Sequence, residues 1–175
     1  MKKENELLVK KAKKGDNNAF YQLITLHKMQ LYRIAISYFR NDHDALEAIQ
    51  ETTFRAYKSI GKLKNPEFFS TWLVRILMNY CHDELLKKKR IIYNDEILQS
   101  KEARGTGSNL EMDEAIQLLD EKYRRVIILK YLEGMKIEEI AALLEHPQGT
   151  IKTWLHKGLR ALRIQFTEDE EDSNA

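Results

Sequence analysis

Cysteine, proline and glycine are all scarce in this 175-residue chain, and each scarcity excludes something. Cys81 stands alone, so no disulfide can form within the chain, and a reducing, cytoplasmic setting is expected. Two prolines and seven glycines leave little punctuation for a many-turned β fold. No apolar run approaches the ~18 residues of a membrane helix. The opening Met1-Lys2-Lys3-Glu4-Asn5-Glu6 lacks the apolar stretch of a signal peptide. Catalytic constellations are missing too. His27, His43, His82, His146 and His156 are dispersed without metal-ligand spacing. No glycine-rich loop could cradle a phosphate, and neither Cys81 nor any serine sits in a nucleophile motif. No enzyme, metal, cofactor or small-molecule substrate is expected.

What is abundant points to helices. The chain is 43% hydrophobic, enough for a core, and Leu, Ile, Ala, Lys and Glu dominate it. The net charge of +2 conceals an asymmetry. Residues 167–175 hold five acids and no base; setting these aside leaves 22 acids against 29 bases, so residues 1–166 carry +7. A basic body suggests a polyanionic partner.

The apolar spacing predicts two small all-helical domains joined by a flexible linker. Gly15-Asp16-Asn17-Asn18 reads as a helix stop and a new N-cap, after a short helix with Leu7 and Leu8. Phe20, Leu23, Ile24, His27, Leu31, Ile34 and Tyr38 then recur on one helical face. After a break at Asn41-Asp42, Ala45, Ala48, Ile49, Thr52, Ala56 and Ile60 mark a third helix ended by Gly61. Asn65-Pro66 opens a fourth, with Pro66 suited to the first turn. The first domain is expected over residues 1–90, a linker over 91–109, a second domain over 110–166 and an acidic tail over 167–175. Within the second domain, helical spacing runs from Leu110 to Leu119, Tyr123 to Leu132, Ile137 to Leu144, and Pro147 to about Phe166.

The last two of these helices have helix-turn-helix spacing. Ile140, Ala141 and Leu144 form one inner face and Ile151 and Leu155 the other, with small Ala141 permitting close approach. From Pro147 to Phe166 there is no acid, but there are Lys152, Lys157, Arg160, Arg163 and His156. Such a helix fits a DNA major groove, whereas a face serving solubility alone normally mixes signs.

The first domain leaves two readings open. Glu47, Gln50 and Glu51 share one face of the third helix with Asp44 a turn earlier, either as a solvated surface or as a dock for a basic protein. Phe68, Phe69, Trp72 and Tyr80 can core a bundle or stack on unpaired bases, beside Arg75, Asn79 and the Lys87–Arg90 cluster. That cluster also suits a helix C-terminus electrostatically.

In this order, the segments Leu8–Asp16, Asp44–Tyr57, Phe69–Ile76 through Asn79 and Asp83, and Tyr131–Gly134 on through Gly149–Lys152 to Leu162-Arg163 resemble a bacterial RNA polymerase sigma factor of the extracytoplasmic-function class. The resemblance implies a subunit that binds core polymerase and directs promoter-specific initiation. Asp44, Glu47, Gln50 and Glu51 would dock on the clamp coiled coil of the largest subunit. Leu63, Phe69, Trp72, Arg75, Ile76, Asn79, Lys87, Lys88, Lys89 and Arg90 would open and hold the minus-ten element, with Leu63, Ile76 and Asn79 lining a pocket for a flipped base. Thr150, Lys152, Thr153, His156, Lys157 and Arg160 would read the minus-thirty-five element. Promoter DNA, core polymerase and a membrane-linked anti-sigma factor are the implied partners. The chain departs from the usual pattern at Leu46, Thr53, Leu63, Met78 and Trp154. The rival readings are a stand-alone helix-turn-helix regulator, which would bind paired half-sites as a dimer, and a helical adaptor whose basic patches only solvate it.

Overall fold

The computed structural model describes residues 2–95, 115–116 and 118–172, and side chains within 4–88, 115–116 and 118–164. It divides into two units, Met1–Glu102 and Ala103–Ala175, all-helical throughout the described residues.

The first unit holds α1 (Lys2–Lys13), α2 (Asn17–Phe39), α3 (Asp42–Ser59) and α4 (Phe69–Asp95). The breaks fall where capping chemistry demands them. Gly15 takes φ +93, and Asp16 Oδ1 accepts hydrogen bonds from the backbone N–H of Asn18 and Ala19, both at 3.0 Å. Asn41 Oδ1 accepts from Asp44 N–H at 2.8 Å and opens α3 in the same way. α2 packs against α1, α3 and α4. Of the expected stripe it buries Phe20, Leu23, His27, Leu31, Ile34 and Tyr38 and leaves Ile24 half-buried, while α3 buries Ala45, Ala48, Ile49, Thr52 and Ala56. The alanines on α3 let its backbone approach α2 closely. On α1 the buried residues are Val9 and Ala12, and Leu7 is exposed.

α3 ends at Ser59, and Gly61 lies inside a 3₁₀ turn, Ile60–Lys62. Leu63 and Asn65 are extended, and a second 3₁₀ turn, Pro66–Phe68, leads into α4. The fourth helix therefore begins at Phe69 rather than at Pro66. It also runs to Asp95, so residues 91–95 of the expected linker are helical; residues 96–109 lie outside the described set.

The second unit holds α5 (Glu121–Ile127), a π-helical turn (Ile128–Leu132), α6 (Ile137–Leu144) and α7 (Gln148–Asp172). Of the helix expected from Leu110 to Leu119, residues 115, 116, 118 and 119 are described; the first three are helical, and Leu119 already lies in a bend. Where one helix was expected over 123–132, the widened turn keeps Ile128 and Leu129 buried before the chain reverses at Gly134, φ +63. Ala115, Ile116, Leu119, Ile127 and Leu162 form one core cluster, with Tyr123, Leu155 and Ala161 against it. Arg124 lies inside the unit, 5% exposed. Its Nε donates to Ile116 O at 3.2 Å and its Nη2 to Leu119 O at 3.0 Å, while Nη1 lies 3.5 Å from Glu121 Oε2. Buried polar groups require partners, and this guanidinium staples the chain before α5 to α5 itself.

α6 and α7 form the helix-turn-helix. Ile140 and Ala141 are buried as expected, but the third inner residue is Leu143, with Leu144 half-buried. The turn passes through Glu145 at φ 59. On α7, Ile151 and Leu162 are buried. Gly158 meets α5 so closely that a Cβ there would lie 2.8 Å from Ile127 Cδ1 and 3.1 Å from Tyr123 Cβ. α7 continues as backbone helix through Asp172, so residues 167–172 extend the helix instead of forming a separate tail.

Candidate docking and nucleic-acid interfaces

α3 presents Asp44, Glu47, Gln50 and Glu51 within an arc of ~120° at 100° per residue. Glu47 and Gln50 are exposed, and Asp44 and Glu51 half-buried. Glu51 Oε1 accepts from Arg55 Nε at 2.7 Å. Exposed Phe54 lies within the same arc, with Lys58 Nζ 4.1 Å from its ring centroid, and exposed Leu46 borders it. The face thus combines exposed acidic and amide side chains with two exposed apolar ones, Leu46 and Phe54. Beneath it sits Tyr80 of α4, with the Arg55 guanidinium 5.1 Å from its ring centroid. Burial, then the charges of Glu84, Glu47 and Glu51, push the Tyr80 hydroxyl up to about 12, against the opposing effect of Arg55.

α4 places Trp72, Arg75, Ile76 and Asn79 at i, i+3, i+4 and i+7, a shared arc of ~100°. Asn79 is exposed and the other three half-buried. Phe69 belongs to the core instead: its ring is 2% exposed, 5.4 Å edge-on from His27 and 5.8 Å from Trp72. The expected contact between Phe69 and DNA does not fit that position, and its ring supports Trp72 from below. Leu63 is 7% exposed, and its carbonyl accepts a hydrogen bond from Lys13 Nζ at 2.5 Å.

The basic end of α4 divides. Lys87 Nζ reaches Glu84 Oε1 at 2.6 Å. Lys88 turns toward α3, where its ammonium pairs with Asp44 Oδ2 and lies 5.5 Å from the Phe39 ring centroid. Two residues expected on different interfaces are thus joined. Asn41 Nδ2 also donates to Asp44 Oδ2, at 2.8 Å. Burial pushes the Asp44 carboxyl up, but the hydrogen bonds from Lys88 and Asn41 and the Lys88 charge outweigh it, holding the group below its ordinary value. The side chains of Lys89 and Arg90 lie outside the described set.

On α7, Lys152, Thr153, His156, Lys157 and Arg160 are all exposed and fall within an arc of ~140°. Thr150 is half-buried at its edge, and Thr153 Oγ1 donates back to Gly149 O at 2.9 Å. Exposed Arg163 shares the arc, outside the expected set. Ile151, Gly158 and Leu162 occupy the opposite, buried side. Trp154 is half-buried, its ring 4.7 Å from that of His146 in the turn.

Among the described residues, one set brings metal-ligating atoms within 4.8 Å of one another: His43, Asp44 and Glu47. Asp44 is engaged by Lys88 and Asn41, and the other two are exposed. The set reads as the charged start of α3. No described helix is long and apolar enough to cross a membrane.

Comparison with known proteins converges on these two units. Residues 23–91 match Sigma-70 region 2, and residues 109–162 match Sigma-70, region 4. The chain is 36% identical over 150 residues to the RNA polymerase sigma factor SigV of Bacillus subtilis (strain 168), covering 84% of this chain and 90% of that one. Against the ECF RNA polymerase sigma factor SigW of the same organism it is 34% identical over 178 residues, covering 91% and 95%. Among solved structures, CnrH in complex with the cytosolic domain of CnrY shares the fold at a TM-score of 0.71 and 22% identity, over 94% of this chain and 98% of that one. The sigma factor RpoE in complex with the anti-sigma factor NepR from Bartonella quintana does so at 0.70 and 22%, over 85% and 96%. The chain belongs to the extracytoplasmic-function class of RNA polymerase sigma factors, with region 2 as its first domain and region 4 as its second. It directs promoter-specific transcription initiation, and its family is not one of enzymes.

Proposed function

We propose the following division of labour, acting in the cytoplasm. The α3 face of Asp44, Glu47, Gln50 and Glu51, centred on Phe54, docks on the clamp coiled coil of the polymerase's largest subunit. The α4 arc of Trp72, Arg75, Ile76 and Asn79, with the Leu63–Phe68 loop, opens the minus-ten element and holds an extruded base. The Asn79 amide can both donate to and accept from a base edge. The α7 arc, from Thr150 through Arg160 and extended by Arg163, reads the minus-thirty-five element. The sigma factor RpoE, which shares this fold, is held in complex with the anti-sigma factor NepR, and this supports an anti-sigma partner for the present chain; we propose that this partner is linked to the membrane and competes with polymerase.

The observation that carries this reading is the one-sidedness of α7. One flank of the helix is buried, and the other exposes three basic side chains, a histidine and a threonine in the expected set, with no acid from 147 to 166. Each phosphate neutralised releases counterions and makes binding steeply salt-dependent. Reconstituted transcription tests the proposal, using core polymerase with and without the protein on a promoter library. Initiation at a defined subset of promoters is expected. Lys152→Glu with Lys157→Glu should abolish dependence on the minus-thirty-five element. If core polymerase gains no start-site choice and the protein alone footprints paired half-sites, the division of labour is wrong and the chain acts as a stand-alone regulator.

A further inference from the structure

We infer that Lys13 is a positioning residue for promoter opening: from the end of α1 it holds the backbone of the Leu63–Phe68 loop that seats the minus-ten base. The inference rests on the proposed role of that loop, and it enlists a helix outside the Sigma-70 region 2 match, which begins at residue 23. Leu63 and Asn65 are extended residues between two 3₁₀ turns. The Leu63 N–H is satisfied within the first turn, donating to Ile60 O at 3.1 Å. Its carbonyl is tied across 50 residues of sequence, by Lys13 Nζ at 2.5 Å in a partly buried setting. A carbonyl in such a place needs a donor, and an ammonium makes a stronger hydrogen bond than a neutral group.

The far end of the loop is held differently: Phe68 N–H donates to Asn65 O at 3.1 Å, and the Pro66–Phe68 turn packs against α1 and α4. A cavity of about 170 Å³ is lined by Asn5 and Glu6 of α1, His27 of α2, and Pro66, Glu67 and Ser70 at the loop and the start of α4. The Lys13 bond anchors the other end of the loop, nearest α3, where Leu63 is 7% exposed. Fixing the loop before DNA arrives removes an ordering cost from base capture. Lys13 itself touches no DNA; it acts through the Leu63 carbonyl.

The test compares wild type, Lys13→Met and Lys13→Arg, each as full chain with core polymerase, on a promoter carrying 2-aminopurine in the minus-ten element. Lys13→Met should lower open-complex formation by roughly tenfold or more, the scale of one lost charged hydrogen bond. Lys13→Arg, which keeps a charged donor, should restore most of it. Core-polymerase affinity and protection of the minus-thirty-five element should be equal in all three. In the free protein, amide exchange across Leu63–Phe68 should quicken in Lys13→Met only. Opening by Lys13→Met equal to wild type would overturn the inference, as would Lys13→Arg as defective as Lys13→Met, or a parallel loss of core affinity. Wild type that opens no template would overturn the reading of the loop itself, and this inference with it.

Discussion

Replacing Gly158 by alanine tests how α7 is held against α5. Helix propensity alone favours the change by about 1 kcal/mol, because alanine loses less backbone freedom than glycine. Packing opposes it: the new Cβ would lie 2.8 Å from Ile127 Cδ1 and 3.1 Å from Tyr123 Cβ. Ile127 is 3% exposed, so its methyl has little room to swing aside. Overpacking of a well-filled core costs roughly 1–3 kcal/mol. The balance is a net destabilisation of about 1 kcal/mol in the second domain. The two tryptophans, Trp72 and Trp154, belong to different domains. Urea unfolding followed by tryptophan emission in a Trp72→Phe background therefore reports on the second domain alone. Ile127→Val removes the clashing Cδ1 and should cost less in the Gly158→Ala background than by itself, where ~0.5–1.5 kcal/mol is usual. A Gly158→Ala midpoint equal to or above wild type, with no coupling to Ile127, would refute the close-approach argument.

Other perturbations address the first domain. Gln50→Ala with Glu51→Ala should weaken core-polymerase binding by tenfold or more while leaving helical circular dichroism unchanged; wild-type affinity in a pull-down would remove the docking assignment. Asn79→Ala should change base preference at one minus-ten position and leave minus-thirty-five preference alone, as read by sequencing transcripts from a randomised promoter pool. Because the folded Asp44 carboxyl is held low, its contribution to stability is present above the ordinary carboxylate range and is lost as pH falls through the depressed value. Thermal unfolding from pH 7 to 3 should therefore show a shallower acid limb for Asp44→Asn; a limb as steep as wild type would contradict the Lys88 and Asn41 assignments. Tyr80, neutral in the fold up to about 12, contributes stability that is intact below its ordinary value of ~10 and lost as pH rises through about 12. Ultraviolet titration of Tyr80→Phe should lose the most alkaline phenolate step, and loss of a step near 10 instead would rule out its burial beneath the α3 face.

Local chemistry was legible along the chain wherever one residue acts on its neighbours. Asp16 and Asn41 cap helices where their side chains indicate, and the stripe from Phe20 to Tyr38 packs inward. Periodicity identifies a face but not its partner, which is why Trp72 and Phe69 could not be told apart. Both lie on the first turn of α4, yet the packing of His27 decides that Phe69 enters the core. Leu143 and Leu144 differ by ~100° on α6, and spacing alone leaves open which is buried; it is Leu143, 1% exposed. The pairing of Asp44 with Lys88 and the reach of Lys13 to Leu63 span 44 and 50 residues, distances over which local spacing carries no information. The Arg124 staple was equally hidden, since an arginine in a charged helical stretch, here beside Lys122 and Arg125, usually reads as solvated.

Trp154 gives α7 a property that its exposed residues alone would not. Its ring is wedged against His146, while Ile151 and Gly158 lock the same side of the helix into the domain. The helix has no axle about which to roll, so its outward set of side chains is fixed as a printing block is fixed by its frame. A new promoter preference has to be written by exchanging the type on that block, at Lys152, Thr153, His156, Lys157 or Arg160, because rotating the block would first break its mounting.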